Sequence, residues 1–248
     1  MKLIHVTDTH LVRPGERLYE LDPLDRFRAA VADIERRHGD ADLMVITGDL
    51  ADRGQRESYL AMREVLDGLA IPWRLVIGNH DDRDAFCAAF PETPVDDNGF
   101  VQSVLDVNGG RLLFLDTIEP RTHAGWYCEQ RLDWLRRALA DAGNRWVYLF
   151  MHHPPFRIGL PVLDRMAMVQ ADDFARILAP YRDDIRHIFL GHVHPPVPRS
   201  SQRIPFYTPP ATRPQAVLDL PLRATASSTG APPAYADAPV HHGRVLRH

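Results

Sequence analysis

The sequence predicts an α/β fold in which mixed sheets are flanked by helices. Three observations predict it. Apolar runs of strand length alternate with segments of helical period, a Gly-rich turn joins two β-rich runs in mid-chain, and five strand-like runs each end in a short polar motif. With 248 residues, 45% hydrophobic and 25% charged, the chain suits one large domain and excludes disordered, collagenous and coiled-coil classes.

Lys2 to Val6 reads as the first strand, and Leu24, Phe27, Val31 and Ile34 then fall on one helical face. Leu43 to Ile46 is a buried strand, followed by a helix carrying Tyr59, Met62, Val65, Leu66 and Leu69 and a strand from Trp73 to Ile77. Such β-then-α units imply crossovers and a mostly parallel sheet. Asp81 and Asp82 read as an N-cap and first-turn acids of a helix toward Phe86. Between Phe100 and Leu115, Asn108-Gly109-Gly110 marks a hairpin and therefore an antiparallel element. A helix around Leu132, Leu135 and Leu139 follows, then a strand from Trp146 to Met151 and a loop from Pro154 to Met168. A helix through Phe174, Ile177, Leu178 and Tyr181 leads to a strand from Ile185 to Leu190, with last strands at Ile204 to Tyr207 and Gln215 to Leu220. From Arg223 to Ala234 the composition shifts to Ala, Ser, Thr, Gly and Pro, too little apolar surface to offset the cost of ordering the backbone. The expected organisation is one domain over residues 1–222 and a loose Pro/Ala-rich tail over 223–248.

Lys plus Arg total 29 against 33 for Asp plus Glu, a net charge of -4, which leaves no basic field for a nucleic acid. Lys2 is the single lysine, and the arginines are scattered. Cys87 and Cys128 show no disulfide or thiolate-metal spacing, as expected of a reducing compartment. No apolar run approaches the roughly 18 residues of a membrane span, and the one at the start is too short for a signal peptide, so a soluble cytoplasmic protein is expected.

The chemistry is concentrated at strand ends. The first strand runs into Asp8-Thr9-His10, the second into Gly48-Asp49, the third into Gly78-Asn79-His80, a later one into His152-His153, and the next into Gly191-His192-Val193-His194. In open α/β sheets ligands bind beyond the carboxyl ends of strands, so these residues are expected to converge in one crevice. Asp8, His10, Asp49, Asn79, His152, His192 and His194 offer imidazole nitrogens and carboxylate or amide oxygens, donors that suit Zn, Fe, Mn, Co or Mg. Seven donors exceed the needs of one ion. Two ions about 3.5 to 4 Å apart, sharing a carboxylate, can activate water and steady an in-line displacement, so the expected chemistry is phosphate-ester hydrolysis. Gly48, Gly78 and Gly191 each stand before a candidate ligand, where glycine permits positive φ and close backbone approach.

Together these motifs resemble the full set of the calcineurin-like metallophosphoesterases over residues 1–220. Arg17-Leu18-Tyr19, Gly125-Trp126 before Trp134, and His152-His153-Pro154-Pro155 are similar to the bacterial class III cyclic-nucleotide phosphodiesterase and glycerophosphodiesterase branch. The resemblance implies a four-layer α/β/β/α sandwich of two mixed sheets. It implies two divalent ions as cofactors, one held by Asp8, His10, Asp49 and His194, the other by Asp49, Asn79, His152 and His192, with Asp49 bridging. His80 matches a residue that contacts the substrate phosphate and protonates or stabilises the leaving oxygen without binding metal. The implied substrate is a small phosphodiester, a cyclic nucleotide or glycerophosphodiester, and the implied assembly a homodimer. A phosphomonoesterase, a nuclease and a non-catalytic scaffold are the competing readings. His153 reads equally as a hydrogen-bond partner of a ligand or as a turn residue, and His5 as a core residue. His38, His123, His187, His241, His242 and His248 read as surface residues.

Overall fold

The computed structural model describes residues 1–159, 163–194, 197–201, 203–212, 216–219, 223–228, 235–241 and 244–245. Its first strand, β1 (Lys2–Val6), leads through a loop to α1 (Pro23–His38). Asp22 caps α1 by accepting the N–H groups of Leu24 and Asp25, Pro23 opens the first turn, and Arg36, Arg37 and His38 sit at the negative end of its dipole. Next come β2 (Leu43–Thr47), α2 (Arg56–Asp67), β3 (Trp73–Val76) and α3 (Arg83–Ala89). The expected hairpin is β4 (Ser103–Val107) and β5 (Gly110–Leu115), turning at Asn108-Gly109. It is followed by α4 (Glu129–Ala140), β6 (Val147–Met151), α5 (Ala171–Leu178) and β7 (Ile185–Leu190). The remaining strands are β8 (Val197–Ser201), β9 (Ile204–Thr208), β10 (Ala216–Asp219), β11 (Arg223–Ser228), β12 (Ala236–His241) and β13 (Arg244–Val245).

Two sheets form, in the orders β13-β12-β1-β2-β3 and β4-β5-β6-β7-β9-β8, while β10 and β11 pair with each other. Strands β1, β2 and β3, and likewise β5, β6, β7 and β9, run parallel; β3 is one edge, and the antiparallel strands lie at the other margins. Side-chain alternation along each inner strand builds the layers. Ile4, Val6, Met44 and Ile46 face Phe27, Val31, Tyr59 and Phe86 of the helices, while Leu3, Val45 and Val76 face Phe114, Tyr148, Phe150 and Phe189 of the second sheet. On the outer side of that sheet, Leu113, Leu115, Leu149 and Met151 pack on Leu132, Leu135 and Phe174. The result is the expected α/β/β/α order.

A buried ionic knot ties α3 and α4 to the segment after β5. Asp116 accepts Arg83 Nε and Nη2 at 2.8 and 3.0 Å and the N–H groups of Val101 and Ile118. Fully buried Arg131 donates to the carbonyls of Asp116 and Ile118 and lies 4.4 Å over the Phe100 ring.

Two expectations change. His187 is 1% exposed against Phe189, because both faces of β7 are covered. Within the segment read as a loose tail, β12 pairs antiparallel with β1, from Lys2↔Pro239 to His5↔Ala236. Composition misses this strand because it is held by backbone groups along the open edge of β1. Residues 229–234, His242 and His248 lie outside the described residues, as does the side chain of His241.

His5 is the core histidine expected, with Nε2 2.8 Å from Thr47 Oγ1 and its ring 5.3 Å from Phe189. Burial pulls it from 6.5 down to about 3, so between those values the unfolded chain binds a proton that the folded chain excludes. Its contribution is intact above pH 6.5 and is lost as pH falls toward 3. In metal-free protein, His5→Gln should flatten the acid limb of a urea-denaturation stability profile by about 1.4 kcal/mol per pH unit in that window.

Candidate metal centre

The carboxyl ends of β1, β2 and β3 in one sheet and of β6 and β7 in the other deliver five loops to one crevice. Asp8 follows β1, and its Oδ2 is fixed by the Thr7 hydroxyl at 2.7 Å and the His192 N–H at 3.2 Å. Its Oδ1 then faces His194 Nε2 at 3.3 Å and His10 Nε2 at 3.9 Å. Asp49, after β2, lies between two histidines: Oδ2 is 3.3 Å from His10 Nε2 and Oδ1 is 3.3 Å from His152 Nε2. Asn79, after β3, brings Oδ1 to 3.2 Å from His152 Nε2.

Two donor groups flank Asp49, beside a third cluster of His10, Asp52 and His80. Ligand atoms of Asp8, His10, Asp49 and His194 all lie within 4.8 Å of one another, as do those of His152, His153 and His192. Asp49 presents one oxygen to each group. His192 Nε2 is buried and has no hydrogen-bond partner among the described residues, a nitrogen left for a ligand to satisfy. The far nitrogens are held: His152 Nδ1 is 2.8 Å from the Thr47 carbonyl and His10 Nδ1 is 3.2 Å from Asp52 Oδ1, which leaves each Nε2 toward the crevice. These residues fit a pair of divalent ions with nitrogen and oxygen ligands.

The electrostatics are those of a cation site filled partly by protons. Burial alone would raise Asp49, but His152, His10 and His80 hold it well below the carboxylate range, and Asp8 is likewise lowered, by His194 and His152. Burial alone would lower His152, but Asp49 and Asp8 carry it up to about 9. Burial takes His192 down to about 3 and depresses His153.

The backbone is bent to reach this geometry. Asp8, His10, Asp49, His192 and His194 all have positive φ, between 44° and 70°. For non-glycine residues that conformation costs about 1–3 kcal/mol each and collects at functional sites. Sequence places the left-handed turns on the glycines, whereas only Gly48 of the three has positive φ. Gly78 and Gly191 are required by closeness: a Cβ on Gly78 would strike the backbone N and Oδ1 of Asp49, and one on Gly191 the Thr47 carbonyl and Thr7 hydroxyl.

All seven candidate ligands meet here, and His80 joins them with its ring 4.7 Å from His10, its N–H on Asp49 Oδ1 and its Nδ1 2.8 Å from the Asp52 carbonyl. His153 stands beside His152 and His192 with Nδ1 2.8 Å from Thr117 Oγ1. Three neighbours escape the sequence reading. Asp52 buttresses His10 and His80; its signal is a second acid three residues past Asp49. His123 is exposed as expected, yet its Nδ1 is 3.0 Å from Asn79 Nδ2, and no local pattern marks it. Asp82 is the N-cap of α3, whereas Asp81 is half-buried and accepts from Leu50, Ala51, Gly78 and Tyr59. Burial and the Asp49 charge push Asp81 up to about 6.

Residues 1–196 match the calcineurin-like phosphoesterase family model. The chain belongs to that family. It is 39% identical over 251 residues to a probable cyclic nucleotide phosphodiesterase of Rhodopseudomonas palustris, covering 100% of this chain and 91% of the relative. It is 30% identical to a glycerophosphodiester phosphodiesterase of Enterobacter lignolyticus, covering 78% of this chain and 71% of that one. These relatives place it in the cyclic nucleotide and glycerophosphodiester phosphodiesterase branch. A dimetal phosphatase from Danio rerio superposes with a TM-score of 0.72 at 14% identity, over 96% of this chain and 91% of that one, and shares the fold. Among the described residues no helix of this phosphoesterase is long and apolar enough to cross a membrane.

Because His152 holds a proton up to about pH 9 in the metal-free protein, and a ligand imidazole must be neutral, metal uptake near pH 7.5 should release about one proton. Calorimetric titrations in buffers of different ionisation enthalpy measure that release, which should fade above pH 9.

Proposed function

We propose that this protein hydrolyses small phosphodiesters, cyclic nucleotides or glycerophosphodiesters, with two divalent ions held in the crevice. One position uses Asp8, His10, Asp49 and His194; the other uses Asp49, Asn79, His152 and His192. The observation that carries the reading is the Asp49 carboxylate, with one oxygen 3.3 Å from His10 and the other 3.3 Å from His152. When bound, the ions lower the pKa of water and offset the charge of the phosphate oxygens. Among Fe, Mn, Zn, Co and Mg the nitrogen-and-oxygen donor set favours the borderline ions.

The chain's own groups orient and protonate. Thr7, His192 N–H and His80 N–H hold the carboxylates at fixed angles, so little reorganisation accompanies charge build-up on phosphorus. His80 gives Nδ1–H to the Asp52 carbonyl, leaving Nε2 to carry a proton to the departing alkoxide. Its side chain is 32% exposed and within reach of a ligand arriving from solvent. The net charge of -4 disfavours a polyanionic nucleic acid as substrate. A reducing cytoplasm fits the two free cysteines, and light scattering tests the homodimer that completes this reading.

Asp49→Asn should cut hydrolysis of bis(p-nitrophenyl) phosphate by more than about 100-fold, beyond the usual effect of losing an outer partner of a ligand. His80→Ala should slow turnover by about 100-fold or more while metal content by mass spectrometry stays at the wild-type level. The diester should turn over faster than p-nitrophenyl phosphate; near-normal diester turnover in Asp49→Asn removes the proposal.

A further inference from the structure

Asp81 offers no atom to either donor group, yet its half-buried carboxylate joins the loops that do. Oδ1 accepts the Ala51 N–H at 2.9 Å and the Tyr59 hydroxyl at 3.0 Å, and Oδ2 accepts the N–H groups of Gly78 at 2.8 Å and Leu50 at 3.1 Å. Leu50 and Ala51 directly follow Asp49, and Gly78 directly precedes Asn79. One side chain thereby sets the separation between the loop of the shared carboxylate and the loop of the amide ligand.

The two sides of Asp49 are anchored unequally. Toward the β1 loop there are four backbone bonds, Asp8 N–H to the Gly48 carbonyl, His10 N–H to that of Asp49, Leu11 N–H to that of Leu50 and Asp52 N–H to that of Leu11, at 3.1, 2.8, 2.9 and 2.9 Å. Toward the β3 loop the ties run through side chains instead: Asp81, Asp49 Oδ1 accepting the His80 N–H, and His80 Nδ1 on the Asp52 carbonyl. Resting on the two-ion reading, we propose that Asp81 is a positioning residue that sets the affinity of the position formed by Asp49, Asn79, His152 and His192. The position nearer β1 depends on the backbone bonds instead. A carboxylate can accept all four donors, whereas the isosteric amide turns an NH2 group against two of them.

The test titrates metal-free protein with manganese by calorimetry and follows amide hydrogen exchange before any metal is added. Asp81→Asn should weaken one of the two ions by about 10–100-fold, leave the other unchanged, and speed exchange at Leu50, Ala51 and Gly78. Tyr59→Phe, which keeps the carboxylate and removes one donor, should give the same pattern at smaller amplitude. Leu135→Ala, a core truncation in α4, should lower thermal stability without separating the two affinities. Unchanged or equally weakened ions in Asp81→Asn, or separated affinities in Leu135→Ala, would overturn the role of Asp81. A wild-type protein that takes up one ion would instead overturn the two-ion reading.

Discussion

Two carboxylates, Asp8 and Asp49, are buried side by side at 0% and 2% exposure, and the structure is arranged around the cost of keeping both ionised. An isolated buried carboxylate takes up a proton; here the imidazoles of His10, His80, His152 and His194 surround the pair and hold both groups charged. That arrangement explains why the ligands stand in left-handed conformations. Asp8, Asp49 and His192 each turn sharply two residues past the end of a strand, at φ 53°, 49° and 70°. The strain is sustained because neighbouring loops fix one another through the backbone, Asp8 N–H to the Gly48 carbonyl and Gly191 N–H to that of His152.

The sheets supply the rigidity on which this depends. Inner strands covered on both faces leave little freedom of register, since a one-residue slip would turn every core side chain to the wrong layer. The Phe114, Phe150 and Phe189 rings of the second sheet stack on one another at 5.2 and 4.6 Å and pack against Leu3, Val45 and Val76 of the first, so the two sets of loops are carried on a packed interface. The centre straddles both sheets, and small relative movement between them would separate Asp49 from His152.

The sequence makes the strands and ligands legible because both obey local rules. Apolar runs such as Leu43–Thr47 can only be buried, and a His or Asp at the end of each such run points to a shared crevice. What escapes is decided by distant partners. Asp81 looks like a helix cap, since Asp82 beside it is one; its role rests on amides from a loop some thirty positions earlier, at Leu50 and Ala51. His187 looks polar and external, and only the second sheet's partner layer buries it. His123 enters the site because the Asp116 and Arg131 knot anchors the start of its loop, a tertiary fact with no trace in the residues around it. β12 escapes for the opposite reason, because backbone pairing makes few demands on side chains.

The pairing of β12 with β1 joins strands more than 230 positions apart in the chain, from Lys2↔Pro239 to His5↔Ala236. At about 5–20 residues per second, β1 leaves the ribosome roughly ten to fifty seconds ahead of the partner that closes its outer edge. During synthesis that edge is an open template for any extended segment of a neighbouring nascent chain. Chaperone shielding of the early translation product would therefore matter more for this protein than its ordinary size suggests.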